Sequence, residues 1–131
     1  YNVDQAIYHQ DGSGSGSTIS NNLIINSGQY GGISNTAGTI TNNTIISSET
    51  AILVGATGVS GESNINPVIN NNNFYGNTNN IWVRTSNSYN STVNAENNWW
   101  GTTNSSEISN LISLRFSRLN RLTHAIRISF P

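Results

Sequence analysis

The sequence predicts an all-β chain wound as a solenoid of about four to five short parallel coils. Three observations carry that expectation: a repeated hexad, an Asn pair fixed inside it, and a composition that supplies apolar residues with little charge. The hexad reads ISNNLI at 19–24, ITNNTI at 40–45, INNNNF at 69–74 and AENNWW at 95–100, in steps of 21, 29 and 26 residues. Around it, 24 Asn, 19 Ser, 13 Thr and 12 Gly stand beside 16 Ile, and only 8% of the 131 residues are charged. The usual share is about 25%, so amides and hydroxyls replace charge as the solvating groups. Regularly placed Ile gives residues 1–110 the apolar surface that a disordered chain lacks.

Taken in order, residues 1–16 are expected to form a partial coil through Ala6, Ile7 and Tyr8, followed by a Gly/Ser turn. The GSGSGS run at 12–17 has no Lys after it and leads into a β repeat, so it reads as a turn and not a phosphate cradle. Residues 17–103 hold the repeats. Strand side chains alternate faces, so an inward residue, an outward one, a two-residue Asn bend, an outward one and an inward one describe two short strands meeting at a corner. Asn tolerates a left-handed backbone there and offers both donors and acceptors. With coils stacked about 4.8 Å apart, Asn22, Asn43, Asn72 and Asn98 become an Asn ladder.

A second apolar strand follows each of the first three hexads: GGIS ending at Ser34, AILV at 51–54 and NIWV at 80–83. The inward stacks are then Ile19, Ile40, Ile69 and Ala95; Ile24, Ile45, Phe74 and Trp100; and Ile33, Ile52 and Ile81 with Val54 and Val83. Residues 104–131 form a capping or interaction tail with four Arg and few Asn. Leu111, Leu114, Leu119, Leu122 and Ile126 fit helical spacing, whereas Ile126, Ile128 and Phe130 alternate as in a strand. A short helix or extended segment across the coil end or an apolar strip is the expectation, with an amphipathic membrane-surface helix as the lesser alternative.

On the hexad and on NNWWG at 97–101, the sequence resembles the right-handed parallel β-helix proteins, the pectate-lyase-like superfamily, and in particular Asn-rich repeat proteins of bacterial and archaeal cell surfaces. The resemblance implies a right-handed β-helix. It is specific for fold and not for function, because the superfamily holds lyases, hydrolases, epimerases, phage tailspikes and adhesins. It also implies that an enzyme of this kind would carry its chemistry on the outward positions of the strand holding Ile33, Ile52 and Ile81. Those positions read as Gly32, Ala51 and Asn80 in one row and Ser34, Leu53 and Trp82 in the other, without a carboxylate. Glycoside hydrolysis needs two carboxylates at a defined separation, and a lyase needs several on Ca2+ beside a base. Asp4, Asp11, Glu49, Glu62, Glu96 and Glu107 are scattered singly, so no catalytic residue is assigned.

Other chemistries are poorly served. His9 and His124 have no nearby ligand partners, so no metal and no cofactor is expected. Absence of Cys removes disulfides and thiolate sites. A formal net charge of -1, with four of five Arg after residue 114, argues against nucleic acid. No apolar run approaches the roughly 18 residues of a transmembrane segment. The TIT at 39–41 is the start of a flat Thr array of the ice-binding type, but the array decays into TIS, VIN and NAE. Sequons at Asn42, Asn90 and Asn104 agree weakly with an extracellular or cell-surface location. A chain that starts at Tyr1 without any Met is expected to have lost a leader or to be part of something longer.

Two surfaces remain. Leu23, Ile25, Ile46, Tyr75 and Trp99 make an apolar outward strip, a candidate interface, and Gly101 lets the chain leave the coil. Tyr8, Trp82 and Arg84 are candidate carbohydrate contacts, two aromatic faces and a cation for a uronate. The leading expectation is a non-enzymatic structural or adhesive module that self-associates end to end or laterally, in filaments or particles. The alternative is a β-helix that binds or acts on polysaccharides, with a glycan or cell-surface polymer as partner.

Overall fold

The structure is a computed structural model that describes residues 3–9, 17–35, 38–55, 66–85, 92–116 and 125–128. In chain order, a first circuit runs through β1 (Ile7–His9), β2 (Thr18–Ser20) and β3 (Leu23–Ile25). A second follows through β4 (Ile33–Asn35), β5 (Thr39–Thr41) and β6 (Thr44–Ile46), and a third through β7 (Thr50–Val54), β8 (Val68–Asn70) and β9 (Asn73–Tyr75). Then come β10 (Asn79–Thr85), β11 (Thr92–Ala95), a six-residue helix α1 (Ser105–Asn110), β12 (Ile112–Phe116) and β13 (Ala125–Ile128).

Each strand pairs in parallel with its counterpart one circuit later. The result is three parallel sheets in the orders β1-β4-β7-β10-β12, β2-β5-β8-β11-β13 and β3-β6-β9. A single bridge from Asn73 to Trp99 prolongs the third sheet by one residue. Register places like on like: Ile33 beside Ile52, Ile81 beside Ile52 and Ile112, and Ile45 between Ile24 and Phe74. These residues fill one core, in which Ile33, Ile40, Ile45, Ile52, Ile69, Phe74 and Ile81 are wholly buried. At roughly 1.5–3 kcal/mol per fully buried side chain, the stacks are the main stabilising term. Phe74 and Trp100 meet at 5.4 Å between ring centroids with planes tilted by 36°.

The corners explain the Asn pairs. Asn21, Asn42, Asn71 and Asn97, the first Asn of each pair, all have φ between 55° and 60°. That left-handed region costs most residues about 1–2 kcal/mol, and Asn least after Gly. The corner between the third and first sheets uses the same device at Asn26, Ser47 and Gly76. Gly55, with φ of 112°, follows β7 at a point where a Cβ would fall on the Arg84 carbonyl oxygen, so only glycine fits.

The structure sharpens two expectations and corrects one. Strand β1 covers Ile7–His9, and Ala6 lies outside it, exposed. Gly32, Ala51 and Asn80 do not face outward: all three are buried, Ala51 at 0% and Asn80 at 1% exposure. The corner before this strand turns its residues inward, so Ala51 and Ile52 both face the core. A Cβ at Gly32 would stand 2.9 Å from Ile24 Cγ2 and Ser27 Oγ.

For the tail, the two expected forms both occur among the described residues, a short helix over 105–110 and extended segments over 112–116 and 125–128, and the segments continue the coil end rather than cover the apolar strip. β12 pairs with β10 from Ile112 to Phe116, and β13 pairs with β11 from Ala125 to Ile128. Helical spacing of leucines lost to ladder pairing, because the exposed edges of β10 and β11 offer a full row of backbone partners. Leu119, Leu122 and Phe130 lie outside the described residues, as do Asp11, Glu62, Asn90, His124 and the run at 12–16.

Candidate functional site

Interior polar groups come first, because they decide which faces remain for function. At the corner between the second and third sheets, the Nδ2 of Asn22 donates to Oδ1 of Asn43 at 2.9 Å, Asn43 to Asn72 at 3.0 Å, and Asn72 to Asn98 at 3.1 Å. Each acceptor oxygen also receives the backbone N–H of the donor residue, at 3.0, 3.0 and 2.9 Å. The Nδ2 groups of Asn43, Asn72 and Asn98 further reach the carbonyls of Ile19, Ile40 and Ile69, one circuit back. The backbone N–H of Asn22, Asn43 and Asn72 thus ends on a side chain, while their carbonyls accept from the N–H groups of Thr44, Asn73 and Trp99 one circuit on, so side chain and backbone satisfy the corner together.

A second polar column stands at the other corner. Ser27 Oγ donates to Ser48 Oγ at 2.8 Å, and the Ser48 N–H donates to Asn77 Oδ1 at 2.8 Å. Asn77 Nδ2 then donates to Asn80 Oδ1 at 3.1 Å, and Asn80 Nδ2 to the Trp100 carbonyl at 3.3 Å. The hexad does not contain this column, yet its signal is present: Ser27, Ser48 and Asn77 each lie five residues beyond a ladder Asn. Both columns are structural. Among the described residues only the Trp100 Nε1 is a buried side-chain polar atom without a partner.

Outside, three faces differ in chemistry. The second sheet presents Thr18, Ser20, Thr39, Thr41, Val68, Asn70 and Asn94, a mostly hydroxyl and amide surface. The third sheet presents Leu23, Thr44 and Asn73 in one row and Ile25, Ile46 and Tyr75 in the next. Leu23 is 65% exposed, Ile25 51% and Tyr75 44%, while Ile46 and Trp99 are half-buried. No described segment lies over that strip, since the tail continues the other two sheets.

The first sheet brings Tyr8, Ser34, Leu53, Trp82 and Ser113 into one outward row. Tyr8 is 60% exposed and Trp82 half-buried, three strand steps apart, or roughly 14 Å. Ser34 and Leu53 between them are buried, at 5% and 4%. The Arg84 guanidinium carbon sits 5.1 Å from the Trp82 ring centroid, a cation–π contact that covers one face of the indole. In the ladder Arg84 is the backbone partner of Arg115.

Among the described residues the acids and histidines do not converge. Asp4 and Glu49 line an open cavity of about 550 Å³ with Val3, Asn26, Ser27, Gly28 and Ser47. Glu107 sits on α1, where it accepts from Asn104 Nδ2 at 3.3 Å, and Glu96 is half-buried on its own. Among the described residues no three His, Asp or Glu side chains are grouped to hold a metal ion. Nor is any described helix long and apolar enough to cross a membrane. Asn104, one of the sequon residues, caps α1 by accepting from the N–H groups of Ser106 and Glu107.

No protein-family model matches this chain, and no curated protein or solved structure matches it significantly. The three faces and two interior columns therefore carry the functional reading alone.

Proposed function

We propose that the chain is a right-handed parallel β-helix of the Asn-rich cell-surface type, and that it acts as a non-enzymatic structural or adhesive module which associates with its own kind outside the cell. The observation that carries this reading is the strip on the third sheet that no described segment covers, where Leu23 and Ile25 on β3 and Tyr75 on β9 are exposed with half-buried Ile46 between Ile25 and Tyr75. A contiguous apolar surface rimmed by Thr and Asn marks an interaction face on soluble proteins. The distribution of the acids supports the non-enzymatic part: the outward rows beside the Ile33, Ile52 and Ile81 stack carry no carboxylate that could serve as general acid or base. Light scattering across a wide concentration range tests the reading. A mass that rises with concentration is expected, and a concentration-independent monomer would sink it.

The Arg84–Trp82 contact favours a second reading, a polysaccharide-binding face on the first sheet. An aromatic ring beside a fixed cation suits a sugar carrying a carboxylate. A glycan array with the wild-type chain and Arg84→Ala separates the two. Under the leading reading neither protein retains acidic glycans; retention lost in the variant, or turnover of an acidic polysaccharide, would establish the alternative.

A further inference from the structure

We propose that Asn42 is an N-glycan acceptor, and that its glycan lies over the apolar strip of the third sheet and so sets how far the chain self-associates. This rests on the extracellular, self-associating reading above and names what regulates that surface. Asn21, Asn42, Asn71 and Asn97 occupy equivalent places at the corner between the second and third sheets, all exposed and all with φ between 55° and 60°. An acceptor Asn needs a hydroxyl residue two positions on. The residues at that place are Leu23, Thr44, Asn73 and Trp99, so one corner of the four qualifies.

The Asn42 amide is also uncommitted. It makes no hydrogen bond among the described residues, in contrast to Asn21, whose Nδ2 donates to Ser20 Oγ at 3.4 Å. Interior bonding falls to its neighbour Asn43, which is wholly buried and links Asn22 to Asn72, so a sugar on Asn42 Nδ2 disturbs no ladder bond. Asn104 is a poorer place. Its Oδ1 accepts from the N–H groups of Ser106 and Glu107 and its Nδ2 donates to Glu107 Oε1 at 3.3 Å, so a sugar there intrudes on a helix cap. In the transfer, Asn42 Nδ2 bonds to the anomeric carbon of an oligosaccharide carried on a lipid diphosphate. The bond from that carbon to the diphosphate oxygen breaks and its electron pair leaves with the lipid diphosphate, while the amide proton passes to a base of the transferring enzyme.

Position gives the glycan its effect. Asn42 stands two residues before Thr44, where β6 begins, and β6 is the middle strand of the third sheet. Thr44 lies between Leu23 and Asn73, and Ile46 between Ile25 and Tyr75. From Asn42 to Ile46 is four residues, or roughly 13 Å along an extended strand, a distance that a short oligosaccharide spans. Its pyranose rings offer hydroxyls to Thr44 and Asn73 and C–H faces to the exposed Leu23, Ile25 and Tyr75. A strip covered in this way is closed to a second copy, and the unmodified chain leaves it open.

The test uses the 131-residue chain secreted from a glycosylating eukaryotic cell, as wild type and as Asn42→Gln, beside the same pair made without glycans in a bacterial cytosol. Peptide mapping after enzymatic glycan release should find the amide-to-acid conversion at Asn42. Sedimentation velocity should give secreted wild type a dissociation constant at least tenfold above that of secreted Asn42→Gln, while the bacterial pair agrees within twofold. Glycans at Asn90 or Asn104 are common to both secreted chains and cancel in that comparison. Should Asn42→Gln not fold, Thr44→Ala removes the acceptor motif and leaves the corner intact. No glycan at Asn42 overturns the proposal and leaves self-association standing. A glycan there with equal association of the two secreted chains, or a bacterial pair that differs as much, overturns the cover over the strip. Monomers in all four preparations take the self-associating reading down, and its regulation with it, whatever the peptide map shows.

Discussion

A ladder Asn does two jobs at once, and the second Asn of each pair can be told from the first by what its removal should cost. Asn72 is 1% exposed and sits in mid-column. Asn72→Ala leaves the buried N–H of Asn43 without its acceptor, removes one of the acceptors of Asn43 Nδ2, and takes the Nδ2 donor away from Asn98 Oδ1 and from the Ile40 and Asn70 carbonyls. Orphaned buried groups cost about 1–3 kcal/mol each, so a loss of about 3 kcal/mol or more is expected in urea unfolding. Asn22, partly exposed at the column's end, can be replaced by water, and Asn22→Ala should cost only about 1 kcal/mol. Equal costs at both positions would contradict a hydrogen-bonded column. The first Asn is a backbone matter. At Asn42, with φ of 57°, glycine should be tolerated, alanine should cost about 1 kcal/mol and a β-branched Val more. These residues were legible in the sequence because the Asn pair recurs inside an unchanged frame. The Ser27–Ser48–Asn77 column was harder to read, since a mixed Ser/Asn set looks like the polar background of a chain with 24 Asn and 19 Ser.

Among the elements, α1 is the one the repeat does not foretell. Its capping signal is nevertheless present, Asn104 followed three residues later by Glu107, and the two bond to each other. Asn104→Ala should cost about 1 kcal/mol, the usual loss of an N-cap. Ile108→Ala should cost about 2–5 kcal/mol and open the end of the core. Tryptophan fluorescence is the accompanying measurement: Trp100, 1% exposed, should shift to the red in Ile108→Ala and not in Asn104→Ala. No shift in the first variant would mean that α1 does not seal that end. The strands show why periodicity alone left the tail open between helix and strand. Leucines and arginines from 111 to 122 allow a helix, but a free parallel edge at β10 offers five in-register partners, from Ile112 to Phe116. An isolated short helix offers only its own marginal hydrogen bonds.

At the scale of the whole molecule, each circuit touches only its neighbours, so stability should depend on how many neighbours a residue has. Ile45 stacks between Ile24 and Phe74, whereas Ile19 has the single ladder partner Ile40. Ile45→Ala is therefore expected to cost about 3–5 kcal/mol and Ile19→Ala about 2 kcal/mol or less. Amide exchange should follow the same gradient, slowest through β5, β6, β8 and β9 and fastest in β1 and β2. A uniform protection pattern would argue for one global core in place of stacked circuits.

The sequence by itself determined the parallel stacking, the inward Ile stacks and the positions of the Asn corners, because each depends on a local pattern repeated at almost fixed intervals. Only the tertiary structure decided which polar residues near a corner turn inward and where the tail goes. Gly32, Ala51 and Asn80 belong to a strand by sequence and to the core by geometry, since a corner breaks the alternation of faces. The tail took its conformation from the edges left open beside it, and no window of its own sequence contains those edges.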